Sequence, residues 1–558
     1  MQRSTLDVSG IFDGARLVVL GGTGFLGKMF WSMLLDRYPG VSRIFLVVRA
    51  KGGLTPEERF WKQIAPSEPL EPLRRSFGGG FEAFLRDKIV PIDGDMGLPL
   101  CGIAPALASE LKGTIHAVVN VAGIVDFNPP LDESLKANAF GAQNLVALAR
   151  ALGGAPILHT STCYVAGTRR GLILEEHPST VPFPRAEELG AELWDPDREI
   201  AECLDLVAQA EHRCDDAFRQ SEFSVRARKN LVARGEPSDG APYDLELARV
   251  KRKFISDLLV AAGLDRATHW GWPNIYTYTK AIGEQVIARS GLPFTICRPA
   301  CCESTLAYPH PAYNEGVNTS AMHAYLIMKG AAQLLAKHVP LDFIPTDFVA
   351  AGMILALAEL SEGTAKPVYQ FGASDVNPCT VQRFGELMGL YKRKHYRQKG
   401  SGNLLFNAIQ ARYEPTFVDR ARFDAVGAPA IARATRRLAS LVRKSAPGLG
   451  AAAGALDRAA NREAKVAEVQ EVFAPFTTTA IGPFDCSNTR RAYARLSDDD
   501  KTKLRWAPES IDWADWMMNV HMPAMEKRII PEMDRRQKKA PRPLAPYPDL
   551  IALLDEMA

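Results

Sequence analysis

Arg16-Leu17-Val18-Val19-Leu20 is a short continuous apolar run, the pattern of a strand buried on both faces of a parallel sheet. It gives way to Gly21-Gly22-Thr23-Gly24-Phe25-Leu26-Gly27, then to an amphipathic stretch reaching Asp36 that Pro39-Gly40 stops. Ile44 to Val48 repeats the apolar run and closes a βαβ unit. Further apolar runs at 89–92, 115–121, 156–160 and 294–298, with helical spacing between them, predict more strands. This alternation predicts an α/β fold with a Rossmann-like, doubly wound parallel sheet.

Between 185 and 270 the rhythm breaks. The stretch is rich in charge, sets Ile200, Leu204, Val207, Phe218 and Val225 at helical spacing, and is interrupted at Gly235-Glu236-Pro237. It predicts a helical insertion lying over the substrate side. After about residue 380 the strand signal fades. Residues 425–460 are rich in Ala and Arg, and 486–558 mix helix and loop with prolines near the end. The expected division is a reductase domain over 1–390, carrying the insertion at about 185–270, and a mainly helical C-terminal domain over 391–558.

With 558 residues, 47% of them hydrophobic and 23% charged, a disordered, collagen-like or repeat-dominated chain is excluded. The net charge of +3 implies no partner, but its distribution does. Residues 391–450 hold 13 basic against 3 acidic side chains. Arg433, Arg436, Arg437, Arg443 and Lys444 suit a membrane-surface helix, a solvated helix face or a site for CoA phosphates. Peripheral membrane contact through 391–450 is therefore one expectation, and nothing favours a nucleic-acid partner. Nine cysteines without a CxxC pair, no apolar leader and no membrane-length apolar run predict a reduced, cytoplasmic protein. Cys297, Cys301 and Cys302 cluster without a histidine at ligand spacing, and no metal site is expected.

The candidate chemistry begins at the glycine turn. Gly21 allows the tight turn, Gly24 lets backbone approach a pyrophosphate, and Gly27 lets helix and strand pack closely; Thr23, Phe25 and Leu26 complete the loop. A site preferring NAD places Asp or Glu at the end of the second strand. Arg49-Ala50-Lys51 stands there instead, and two cations fit a 2′-phosphate, so the expected cofactor is NADPH; a solvated basic loop is the plain alternative. Asp95 follows the third strand, within reach of an adenine amino group. Val121, Ala122 and Gly123 close the fourth, where small residues let backbone lie against the cofactor.

Tyr276 and Lys280 are four apart and share a helix face. A nearby ammonium lowers a tyrosine pKa from about 10, making Tyr276 a proton donor; Tyr278, off that face, is expected to be structural. Ser161 and Thr162 end a predicted strand, where a hydroxyl can bond a substrate carbonyl.

In this order the pieces resemble the extended short-chain dehydrogenase/reductase superfamily, and within it the fatty acyl-CoA reductase, or male-sterility-like, branch. The residues that carry the resemblance are GGTGFLG (21–27), LVVRAKGG (46–53), GDM (94–96), NAFGAQNL (138–145), HTSTCYVAG (159–167), GWPNIYTYTKAIGEQ (271–285), CRP (297–299) and LDFIPTDFVA (341–350). It covers about 10–390 well and 484–516 more weakly. The resemblance implies Thr162 as the catalytic hydroxyl with Ser161 its rival, Tyr276 and Lys280 as partners, and Asn138 in a water-linked proton relay. It also adds Met96 and Pro299 to the cofactor contacts. It implies NADPH-dependent reduction of a long-chain acyl-CoA or acyl carrier protein thioester to aldehyde and on to alcohol. Other expectations are a nucleotide-sugar or sterol-type reductase and a catalytically idle NADP-binding scaffold. Cys163, beside Thr162, is either a small buried residue or an acyl acceptor.

Overall fold

The computed structural model describes residues 5–539 apart from 182, 191–193, 318, 331–332, 337–338, 401, 413, 446–448 and 480. The end of the expected C-terminal domain, 540–558, lies outside the described residues.

The six strands expected from the apolar runs form within two residues of their predicted limits: β1 Arg16–Leu20, β2 Arg43–Val47, β3 Ile89–Ile92, β4 Ala117–Asn120, β5 Ile157–Thr160 and β6 Phe294–Pro299. Three short strands follow: β7 Cys301–Glu303, β8 Gln333–Leu335 and β9 Phe343–Pro345. β10, Val368–Phe371, adds a seventh strand to the main sheet, and β11 is Thr416–Val418. The parallel sheet runs β10-β6-β5-β4-β1-β2-β3, so strand order reverses between β1 and β4. That crevice, at the carboxyl ends of the strands, is where open α/β sheets bind ligands.

Alternation explains why β1 is apolar from Leu17 to Leu20. Leu17 and Val19 face one core, shared with the helices Phe25–Arg37 and Thr346–Glu362, while Val18 and Leu20 face the other, shared with Phe140–Ala151. The helix Ile275–Ala288 packs on Phe140–Ala151 and presents Tyr276 and Lys280 to the crevice.

The insertion is helical, with helices Pro196–Cys214, Ala217–Arg234 and Gly240–Trp270. The break falls at Gly235, left-handed at φ +71°. Two features differ from expectation. Leu204, Phe218 and Val225 are exposed, and the buried stripe of the second helix is Phe223, Ala227 and Leu231. The insertion packs on the helix Ile275–Ala288, and none of its described residues lines the cavity described below. The apolar wall of that cavity comes largely from the chain from residue 317 onward, with Phe127 added.

There the helix Val381–Gln398 leads into β11, which pairs with β8, and the helix Gly450–Thr478 follows. The last described segments bind the core around the main sheet closely. Asn488 Nδ2 donates to Val368 O at 2.9 Å, Arg495 pairs with buried Glu359 at 2.6 Å, and Trp516 Nε1 donates to Ser304 O at 3.2 Å.

Candidate active site

The turn after β1 is built by contact. Gly21 has φ +77°, and a Cβ there would lie 2.3 Å from Ala122 N; one on Gly27 would lie 2.3 Å from Gly21 O. Helix and both strands therefore close on these two residues. Gly24 caps the helix Phe25–Arg37 with its front open to solvent, where backbone N–H groups and the helix dipole favour an anion. The turn after β4 is fixed from behind, where Asn120 Oδ1 accepts from Ala122 N at 2.9 Å and Asn120 Nδ2 contacts His159 Nδ1 at 3.0 Å. Burial holds that imidazole neutral, lowering it to about 3.

Arg49 and Lys51 follow β2 and are exposed, with an ion pair of 3.6 Å from Arg49 to Asp95. Asp95 Oδ1 also accepts from Gly97 N at 2.9 Å, and buried Met96 accepts from Asn144 Nδ2 at 3.0 Å through its carbonyl. Thr23 is half-buried in the turn. Together with the open front of Gly24, these residues fit a nicotinamide dinucleotide lying across the strand ends.

Beyond the turn opens a cavity of about 770 Å³. Gly24, Phe25, Leu26, Gly27, Val121, Ala122, Gly123, Ser161, Thr162, Tyr276, Lys280 and Pro299 all line it. Gly21, Thr23, Arg49, Lys51, Asp95, Met96 and Asn138 lie off it, the first six along the strand ends and Asn138 behind Gly123.

Thr162 Oγ1 donates to Pro299 O at 3.3 Å, accepts from Tyr164 N at 3.3 Å, and is hydrogen-bonded to Tyr276. Ser161 Oγ is buried without a hydrogen-bond partner. Lys280 Nζ donates to Thr160 O at 3.0 Å. Behind the lysine, Glu284 and Arg298 form a buried ion pair at 2.5–2.8 Å.

The electrostatics differ from the sequence expectation. Burial raises Tyr276 above its ordinary value, and the Thr162 hydrogen bond offsets this only in part. Tyr276 is thus held as the neutral phenol, the form that donates. Lys280 itself is lowered to about 8 by burial, against a smaller upward pull from Glu284.

Asn138 sits in a π-helical turn, Leu135–Ala139, a feature frequent at functional sites. Its Nδ2 donates to Thr279 Oγ1 at 3.0 Å and its buried Oδ1 has no hydrogen-bond partner. A Cβ on Gly123 would come within 2.7 Å of Lys280 Nζ and 3.2 Å of Asn138 Oδ1, so the three meet at one point.

Cys163 is fully buried and donates its thiol to Arg298 O at 2.9 Å, with burial pushing its pKa far up. That fits a small core residue, not a nucleophile. Cys301 bonds Tyr164 Oη at 3.2 Å and Cys302 lines the cavity. Sequence reasoning missed Phe127, Phe473, Phe476 and His323 on the cavity wall. His323 packs edge-on to Phe473 at 4.9 Å and burial lowers it to about 4; no short motif marks any of these.

Sheet order, glycine turn and the Tyr276–Lys280 helix together define a nicotinamide-dinucleotide-dependent oxidoreductase of the short-chain dehydrogenase/reductase type. Residues 19–353 match the family described as Male sterility protein, and the chain belongs to that family, the one its motifs led us to expect. It is 26% identical over 551 residues to fatty acyl-CoA reductase 2, chloroplastic, of Arabidopsis thaliana, covering 94% of this chain and 80% of that protein. It is 29% identical over 391 residues to an alcohol-forming fatty acyl-CoA reductase of Simmondsia chinensis, covering 69% of this chain and 71% of that one. Among solved structures, the terminal R domain of the myxalamid PKS-NRPS pathway aligns at a TM-score of 0.48 and 14% identity, over 90% of each chain.

Proposed function

We propose that this protein uses NADPH to reduce the thioester of a long-chain acyl-CoA, or of an acyl carrier protein, to the aldehyde and then to the alcohol. The observation that carries the reading is one juxtaposition. The Tyr276–Thr162 pair and the dinucleotide turn meet in a single cavity whose far wall is hydrocarbon, with Leu334, Leu335, Phe343, Phe384, Met388 and Phe417 on it. A sugar nucleotide would leave its hydroxyls unpaired against that wall, and an acyl chain loses nothing there. The names of the similar proteins agree with this chemistry, and exposed Arg49 and Lys51 favour the 2′-phosphate of NADPH.

The dinucleotide, when bound, supplies the hydride. Thr162 and Tyr276 hydrogen-bond the thioester oxygen where negative charge develops. Tyr276 gives its proton to that oxygen, and Lys280 with Asn138 returns one through a bridging water. The hemithioacetal collapses to aldehyde and expels the thiol. The same hydroxyls then polarise the aldehyde for a second reduction, so two hydrides and two protons turn the thioester into alcohol and free thiol. The reading keeps the protein in the cytoplasm, with the basic 391–450 region touching anionic membrane; no helix among the described residues is long and apolar enough to cross one. Loss of NADPH absorbance on adding palmitoyl-CoA, with hexadecanal and hexadecanol identified as products, is the expected result. No consumption with any acyl thioester would overturn it.

A further inference from the structure

The cavity has two chemically distinct ends. Around Tyr276 it is edged by hydroxyls, and the walls given by β8, β9, β11 and the helix Val381–Gln398 are hydrocarbon. Two routes of contact lead from one end to the other. The first runs from Tyr276 to Phe127 at 6.3 Å, then to Phe473 and Phe476 at 5.3 and 5.2 Å. Next along that helix is Thr477, whose hydroxyl donates to Leu335 O at 2.8 Å, reaching β8. The second runs through β7, which pairs with β9, to Phe343, whose ring stacks on Phe384 at 3.8 Å.

Both routes arrive at Gly385. This glycine is buried in the helix Val381–Gln398 and lines the cavity. A helix interior disfavours glycine, so its presence asks for a packing reason. A Cβ there would lie 2.6 Å from Phe417 Cζ, 2.8 Å from Phe417 Cε1 and 3.9 Å from Leu334 Cδ1. The missing side chain is what lets the Phe417 ring sit flush against the helix. Phe417 belongs to β11, bonded on one side only, to β8, with Thr416 exposed beside it. The Phe417 ring is itself half-buried and lines the cavity where β8, β11 and the helix Val381–Gln398 meet.

We propose that Phe417, seated against Gly385, sets the length of alkyl chain the enzyme accepts, because the terminal methyl of the substrate stops against this ring. The inference rests on the reading above that an acyl thioester binds with its carbonyl at Tyr276. Each methylene withdrawn from contact weakens transition-state binding, worth about fourfold in kcat/KM. One methylene too many must displace the ring, and a packed wall resists that.

The test measures kcat/KM for acyl-CoA substrates from octanoyl to docosanoyl with the full-length wild type, Phe417→Ala and Gly385→Ala. Phe417→Ala opens room for about three or four methylenes and should move the optimum to longer chains by that amount. Gly385→Ala drives the ring off the helix and into the cavity, and should move the optimum shorter by about two carbons. NADPH affinity should stay unchanged in both. If Phe417→Ala does not fold by thermal melting, Phe417→Leu makes the same comparison with a smaller shift. A wild type that reduces acyl-CoA alongside variants with an unmoved length profile overturns the inference. A wild type inert toward every length fails at the functional reading instead.

Discussion

Tyr278 donates its hydroxyl proton to Glu199, and that bond ties the helix carrying Tyr276 to the insertion. Cys203 Sγ meets the same hydroxyl at 3.1 Å, and Glu199 is held further by Arg266 at 2.6–2.7 Å and Trp270 at 2.9 Å. The insertion thus supports the helix Ile275–Ala288 from behind, while the apolar cavity wall comes largely from the C-terminal half. Tyr276 and Tyr278, two residues apart, face opposite duties.

Phenylalanine substitution should separate those duties. Tyr276→Phe keeps the ring in the cavity and removes the donor, so kcat on acyl-CoA should fall at least about a hundredfold with the fold and NADPH affinity intact. Tyr278→Phe removes a buried bond to a carboxylate and should cost about 1.5 kcal/mol or more of stability, with kcat within a few-fold of wild type. Denaturant melts and steady-state rates on both variants decide this. The reverse pattern would mean that the wrong tyrosine has been placed at the reacting carbonyl.

What the sequence made legible was local. The turn of 21–27 could be read because its glycines are demanded by atoms a few residues away, and Tyr276–Lys280 because four residues make one helical turn. The register within the insertion was harder to read. Phe218 and Val225 are apolar at helical spacing yet exposed, and the buried stripe runs through Phe223, Ala227 and Leu231. Two amphipathic readings of one stretch differ only in which partner is present, and sequence does not name the partner. The cavity wall was invisible for the same reason. Phe343, Phe384, Phe417 and Phe476 are ordinary core residues until long-range packing brings them to one surface. Likewise, spacing alone pointed to a lowered Tyr276 pKa, but burial of the phenol, which the sequence does not show, raises it.

Lys280 makes a pH prediction. Burial lowers it to about 8. Its charged form prevails below that value and is lost as pH rises through it. If the ammonium holds the cofactor ribose and the proton relay, kcat/KM should fall on the alkaline side with an apparent pKa of about 8. The rate should drop about tenfold per further pH unit. A pH–rate profile at saturating NADPH measures it. A profile still flat well above that pH would mean that the lysine acts without its charge or is charged throughout.

Arg49 makes a prediction about cofactor choice. Its pairing with Asp95 is long, at 3.6 Å, and both side chains are substantially exposed, so it holds the guanidinium weakly and leaves it free to meet a phosphate. Arg49→Asp should raise KM for NADPH roughly ten- to hundredfold and leave KM for NADH nearly unchanged. Equal effects on both cofactors would put the 2′-phosphate elsewhere.

The helix Ala428–Ser445 carries the last prediction. Its inner face packs Ala432 and Ala439 toward the helix Gly450–Thr478, and Arg443 pairs with Asp457 there at 2.5 Å. Its outer face is apolar: Ile431, Leu438 and Leu441 are 41%, 49% and 59% exposed at spacings of seven and three. Arg433, Arg437 and Lys444 flank that stripe and are exposed too. A second helix of this region, Leu404–Arg412, exposes Leu404 at 86% and Leu405 at 73%. Exposed leucines edged by cations are costly in water and favourable at an anionic bilayer surface, where each cation is worth about 1 kcal/mol. The protein should therefore sediment with vesicles containing phosphatidylserine at low salt, and weaken as salt screens the cations. Leu438→Asp with Leu441→Asp should abolish sedimentation without changing the rate on a short, soluble acyl-CoA. Sedimentation that survives the double substitution would place the contact elsewhere, and failure of the wild type to sediment at low salt would leave this face meeting water.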